Sequence, residues 1–206
     1  MDIPLDAHVR CLDGVGGESA AVVLNPVTMV VSYIVVKTKE HGHKEVLVPM
    51  TFVTDGSVKE IGVKCTLEEL GQLDPFMKQV RVKSQGLDKM DAQALAGAES
   101  QSGVGFEDFS FGGTGSTELV EREAIPETDL TVRAGTPVLA TDGQVGQVDR
   151  FFVAADSGEI QQIVLLEKHL LSKKDFVVSV DQIDRIGEEA IRLKLSKHEV
   201  EQLPRV

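Results

Sequence analysis

Tryptophan is absent, tyrosine occurs once, and the 206 residues contain only two cysteines. Cys11 and Cys65 make no disulfide framework, so stability has to come from a hydrophobic core, and a reducing, cytoplasmic setting is expected. No apolar run reaches the roughly 20 residues that a membrane-spanning helix needs, so integral membrane insertion is not expected. The opening Met1-Asp2-Ile3-Pro4-Leu5-Asp6 lacks the basic head and apolar centre of a secretory signal. Basic charge is scarce too: 21 Lys and Arg stand against 33 Asp and Glu, for a formal net charge of −12. A field of that sign repels phosphate backbones and argues against direct nucleic-acid or anionic-membrane binding. Gly-x-Ser-x-Gly, His-Glu-x-x-His and paired-carboxylate constellations are missing, so no enzymatic activity, cofactor or metal is expected.

What the chain has is an internal duplication. Residues 5–76 align with residues 133–206 at an offset of 129 early and 130 late. Leu12-Asp13-Gly14 falls on Thr141-Asp142-Gly143, Ile34-Val35-Val36 on Ile163-Val164-Leu165, Val46-Leu47-Val48 on Phe176-Val177-Val178, and Ile61–Lys64 on Ile191–Lys194. Each copy has short β-branched runs punctuated by Gly, Asn-Pro and Asp-Gly, which predicts strands at His8–Leu12, Ala20–Leu24, Met29–Val36, Val46–Val48 and Val58–Cys65. The second copy predicts them at 137–140, 145–153, 160–167, 176–180 and 190–195. Turns are expected at Asp13–Gly17, Asp55-Gly56, Asp142-Gly143 and Ser157-Gly158. Both copies end in a capping box, Thr66-Leu67-Glu68-Glu69 and Ser196-Lys197-His198-Glu199, which starts a short helix.

Five or six short strands in about 70 residues cannot bury both faces as an open sheet, so closure into a small barrel is expected, plugged by the helix. The fold expectation is mainly β: two small barrels, 1–83 and 132–206, joined by a flexible, acidic, Gly/Ser-rich linker over 84–131. Gln79–Lys83 is a candidate last strand of the first barrel, and Asp91–Ala98 a marginal helix. Units this small bury too little surface to be very stable alone. The barrels either pack together or pair within a homo-oligomer.

The strand–Asp-Gly–strand opening, the apolar hairpin, Val46-Leu47-Val48-Pro49 and the terminal Ser/Thr-x-x-Glu helix resemble the PRC-barrel family. That family is named for the photosynthetic reaction centre H subunit and includes the C-terminal domain of the ribosome maturation factor RimM. The resemblance covers both copies and is clearest from Gly135 to Leu203. The chain differs from both relatives: it has no transmembrane helix like that of the H subunit, and a second copy where RimM has a different N-terminal domain. The resemblance implies a non-enzymatic protein-docking module or adaptor. Its alternatives are an accessory factor in ribosome assembly or RNA processing that acts through a ribosomal protein, and a peripheral subunit recruited to a membrane complex.

Two segments are candidates for contact with a protein partner. Phe106, Phe109 and Phe111 bring three of the eight phenylalanines into six residues of the linker. Rings of that size dock somewhere, either on the chain's own barrels as a tether or on another protein. The other candidate is the basic stretch Lys168, His169, Leu170, Leu171, Ser172, Lys173 and Lys174, with Leu170 and Leu171 at an expected loop tip. It serves either as a docking loop or as a flap over the barrel's open end. His41 and His43 are expected in a solvated turn, and His8 and His198 at the surface. Cys11 and Cys65 fall where the second copy has Ala140 and Leu195, which fits burial as small apolar groups; a redox pair is the alternative.

Overall fold

A computed structural model describes residues 1–39, 44–83, 117–169 and 172–205. It is mainly β. The strands of the first copy are β1 (Asp2–Pro4), β2 (His8–Arg10), β3 (Val15–Asn25), β4 (Val30–Thr38), β5 (Glu45–Pro49), β6 (Val53–Ser57) and β7 (Glu60–Val63), followed by helix α1 (Leu67–Gln72). Then come β8 (Met77–Lys83), β9 (Thr117–Glu123) and β10 (Leu130–Arg133). The second copy holds β11 (Pro137–Ala140), β12 (Gly143–Val153), β13 (Ile160–His169), β14 (Ser172–Ser179), β15 (Ile183–Ile186), β16 (Ile191–Leu193) and helix α2 (Lys197–Glu201).

The duplication extends to topology. One sheet runs β5-β4-β3-β2-β7-β6 and the other β14-β13-β12-β11-β16-β15, each with one parallel pair, β2–β7 or β11–β16. The seventh strand of each sheet comes from the other side of the duplication. β1 pairs with β12 and β10 with β3, both antiparallel. At the offset of 129, Ile3 opposite Phe151 is the counterpart of Val132 opposite Val22. The two copies thus exchange their leading strands reciprocally, as the subunits of a two-fold dimer would. Val30 and Glu159, equivalent residues, bridge each other at the centre of this pseudo-symmetry. Even the left-handed residues recur: Asp6 (φ 59°) matches Gly135 (φ 80°), and Met29 (φ 56°) matches Gly158 (φ 71°).

This arrangement revises the expectation of closed barrels. Among the described residues no pairing joins β5 to β6 or β14 to β15, so both hydrogen-bonded paths stay open. Burial comes instead from the partner copy. One apolar cluster runs through both sheets, with Val22, Leu24, Ile34 and Val36 from the first, Phe151, Ile163, Leu165 and Phe176 from the second, and Ile3 and Val132 from the exchanged strands. Residues 1–77 and 123–206 accordingly form one compact unit. Alternate residues of β3 point the other way, and Ala21 and Val23 join Val35, Leu47 and Phe76 in a second small cluster. Burial on both faces explains why Ala20–Leu24 is a continuous apolar run instead of an alternating one.

Both predicted capping boxes are present. Thr66 Oγ1 accepts from the Glu69 amide at 3.2 Å, and Glu69 Oε2 accepts from the Thr66 amide at 2.8 Å. Ser196 and Glu199 repeat this at 3.4 and 2.8 Å. A third acceptor joins each cap: Asp13 and Asp142, from the Asp-Gly turns, take the Leu67 and Lys197 amides at 2.9 and 2.8 Å. Each turn is thereby tied to the helix that follows it by more than fifty residues.

Two expected turns are strand. Asp55-Gly56 lies inside β6, and the chain reverses at Val58-Lys59. A Cβ on Gly56 would strike the Asp2 carbonyl oxygen, so glycine is there for the close approach of β1. Gly16 and Gly17 lie inside β3; a Cβ on Gly17 would strike the Lys37 carbonyl. The stretch 84–131 includes β9 and the start of β10, so part of it is sheet and not linker. β8 pairs with β9 and not with the first sheet. These two strands belong largely to a second unit, residues 78–122. The helix expected at Asp91–Ala98 lies outside the described residues.

Candidate functional site

Phe106, Phe109, Phe111, Leu170, Leu171, His41 and His43 lie outside the described residues. Lys168 and His169 close β13, and Lys173 and Lys174 lie near the start of β14, with Lys168 opposite Lys173 and Glu167 opposite Lys174. These residues continue the strands of the hairpin, whose ladder runs to His169 and Ser172. Cys11 and Cys65 are free and buried, and their thiols share a hydrogen bond. Burial and then the neighbouring Cys65 push the Cys11 thiol up to about 12. That protonated state suits small apolar groups and disfavours reactive thiolates.

A cleft of about 720 Å³ was not foreseen from the sequence. Pro26, Met29, Leu130 and Ile186 give it an apolar lining, Val27 stands at its rim, and Asp184, Arg185, Glu188, Glu189 and Arg192 also line it. Local chemistry shapes it. The Asn25 side-chain oxygen accepts from the Val27 and Thr28 amides at 3.0 Å each, an Asx turn that holds Val27 outward. Asp129 takes Asn25 Nδ2 at 3.2 Å and Ser32 Oγ at 2.8 Å, and so fixes the approach to β10 and Leu130. Val27 is 87% exposed, the most exposed large apolar side chain described.

The cleft exists because the pseudo-symmetry fails there. Ile186 occupies the place of Gly56 in the first copy. Glycine lets β1 pass against β6, whereas Ile186 and Leu130 of β10 line the cleft between them. A second hollow of about 380 Å³ continues past Glu188 and Glu189 toward Thr131 and Arg133. There the charges are matched: Arg133 lies 3.5 Å from Glu45 and 3.8 Å from Glu123, and Thr131 donates to Glu123 at 2.7 Å.

Elsewhere the notable polar group is Arg150 on β12, 3% exposed, which faces Asp149 at 2.7 Å and Asp2 of the exchanged β1 at 3.5 Å. Among the described residues no cluster of three or more His, Cys, Asp or Glu is placed to hold a metal ion. No described helix is long and apolar enough to cross a membrane. No family model matches the chain, and a search of curated proteins finds no significant relative.

Proposed function

We propose that the chain is a non-enzymatic protein-docking module built from two PRC-like units. The observation that carries this reading is the open cleft with the exposed Val27 at its rim. An apolar side chain held outward by an Asx turn, beside a cleft lined by apolar and charged residues, has the composition of a recognition surface. The strand exchange supports the same reading. It makes both halves one compact unit, and a preorganised scaffold loses little entropy when it presents a surface to a partner.

Affinity capture from host lysate, with the full chain beside a Val27→Asp variant, tests the proposal. Val27 makes little contact with the fold, so the variant keeps its stability. A discrete partner lost in Val27→Asp is the expected result. Capture of the same partners by both proteins would move the site away from the cleft, and the Phe106/Phe109/Phe111→Ser variant then tests the other candidate segment.

A further inference from the structure

Comparing the halves isolates one patch where they differ in charge. In the first half Arg10 on β2 is neutralised, with Nε 2.6 Å from Glu60 Oε1 and Nη2 3.5 Å from Asp55 Oδ2. The same places in the second half hold Leu139, Ala190 and Arg185, and Arg192 takes the place of Gly62. One cation with two acids has become two cations with none. Arg185 and Arg192 are direct cross-strand partners, a like-charge pairing that costs stability. Both are exposed, and among the described residues neither has a carboxylate within ion-pair distance. In a chain of net charge −12, acidic partners for two arginines are plentiful, so leaving both unpaired runs against the composition.

Both arginines line the 720 Å³ cleft, beside the apolar Met29, Leu130 and Ile186, with Val27 at its rim. Glu188 and Glu189 lie beyond them, at the turn between β15 and β16. The lining therefore sets the Arg185–Arg192 pair within an otherwise acidic set of Asp184, Glu188 and Glu189. Among the described residues β15 also ends its sheet, with no strand on its outer edge.

We infer that this cleft takes an extended peptide segment of another protein, with an apolar side chain against Val27 and Leu130 and a carboxylate on Arg185 and Arg192. The inference rests on the docking reading above and adds the chemistry of the partner. Guanidinium groups side by side suit a carboxylate, which accepts parallel N–H donors. The free edge of β15 suits an extended backbone that adds as a strand. Glu188, Glu189 and the overall negative field oppose a polyphosphate or nucleic acid, which would bring many charges to the same place.

The test is a titration of the full isotope-labelled chain with two synthetic ten-residue peptides of alternating Val and Ser, one with a single central Glu (the Val/Glu peptide) and the other with a single central Lys (the Val/Lys peptide), followed by NMR shift changes. The Val/Glu peptide is expected to shift the amides of Val27, Leu130, Arg185 and Arg192. Its affinity should fall about tenfold with Arg185→Gln and again with Arg192→Gln. Equal binding of the Val/Lys peptide, no shifts at the cleft, or unchanged affinity in the double variant would overturn the inference. The docking reading is judged separately: a lysate partner that Val27→Asp loses and the double Arg variant keeps would refute the acidic-peptide assignment alone, and a partner indifferent to all three substitutions would refute both.

Discussion

Cutting the chain once, at a protease site placed between residues 84 and 116, is expected to leave the two pieces bound to each other. Each piece carries a strand that belongs to the other's sheet, Asp2–Pro4 in one and Leu130–Arg133 in the other. Separation would expose Ile3, Leu5 and Val132, all buried. At about 1.5–3 kcal/mol per side chain these three contribute roughly 5–9 kcal/mol. That is comparable to the cost of bringing two bodies together, and the cluster shared by Val22, Leu24, Phe151 and Ile163 adds the surplus. The pairing of β8 with β9 also spans the cut, but a lone two-stranded ribbon is marginal in water and cannot hold the pieces by itself. The assay is gel filtration of the cut protein at micromolar concentration in native buffer, where one peak at the intact size is expected. Adding Ile3→Ala, which empties a fully buried site opposite Phe151, should cost about 2–5 kcal/mol. That corresponds to weakening the association by about thirtyfold to several thousandfold. Two separate peaks from the cut wild-type chain, or no effect of Ile3→Ala on the association, would refute the strand exchange.

Three further outcomes follow from the packing. Gly56→Ala should destabilise the fold by about 1–3 kcal/mol, read as a lowered midpoint in urea, because the new methyl meets the Asp2 carbonyl and separates β1 from β6. Cys11 should resist alkylation at pH 8 in the folded chain and react at once in denaturant. Its thiol pKa is raised to about 12, so its share of stability is complete below the unfolded value near 9 and is lost as pH climbs from there toward 12; fast alkylation of the native protein would contradict this. Ser196→Ala should cost about 1 kcal/mol of stability. The Ser196 hydroxyl and amide hold the Glu199 carboxyl below its ordinary range, so that variant should also move the Glu199 titration upward. The stability from this cap is present above the unfolded pKa and is lost as pH falls through the lower folded one.

Much of the architecture was legible because it is local. The capping boxes at Thr66 and Ser196 need only residues three apart. The duplication shows in the alignment, and most strands show in their β-branched runs. Glycine misled the reading at Asp55-Gly56 and Gly16-Gly17, where its value lies in backbone approach and not in a turn, a distinction visible only once Asp2 and Lys37 are in place. The cleft escaped notice for the same reason. Its sequence signals were the changes of Gly56 to Ile186 and of Asp55, Glu60 and Gly62 to Arg185, Ala190 and Arg192 between the copies, which have no meaning until β7 and β16 are set beside β2 and β11.

By itself the amino-acid sequence determined that the chain is duplicated, mainly β, and capped twice in the same way, since those properties depend on neighbours along the chain. The partner of each leading strand was a tertiary decision. Ile3 meets an apolar residue whether it pairs with Phe151 or lies beside Val22, and Val132 has the same choice, so two near-identical sheets make self-pairing and exchange indistinguishable in pattern. The folded chain resolves this through long-range contacts, in which each copy buries the apolar face that the other copy's open sheet would otherwise leave in water.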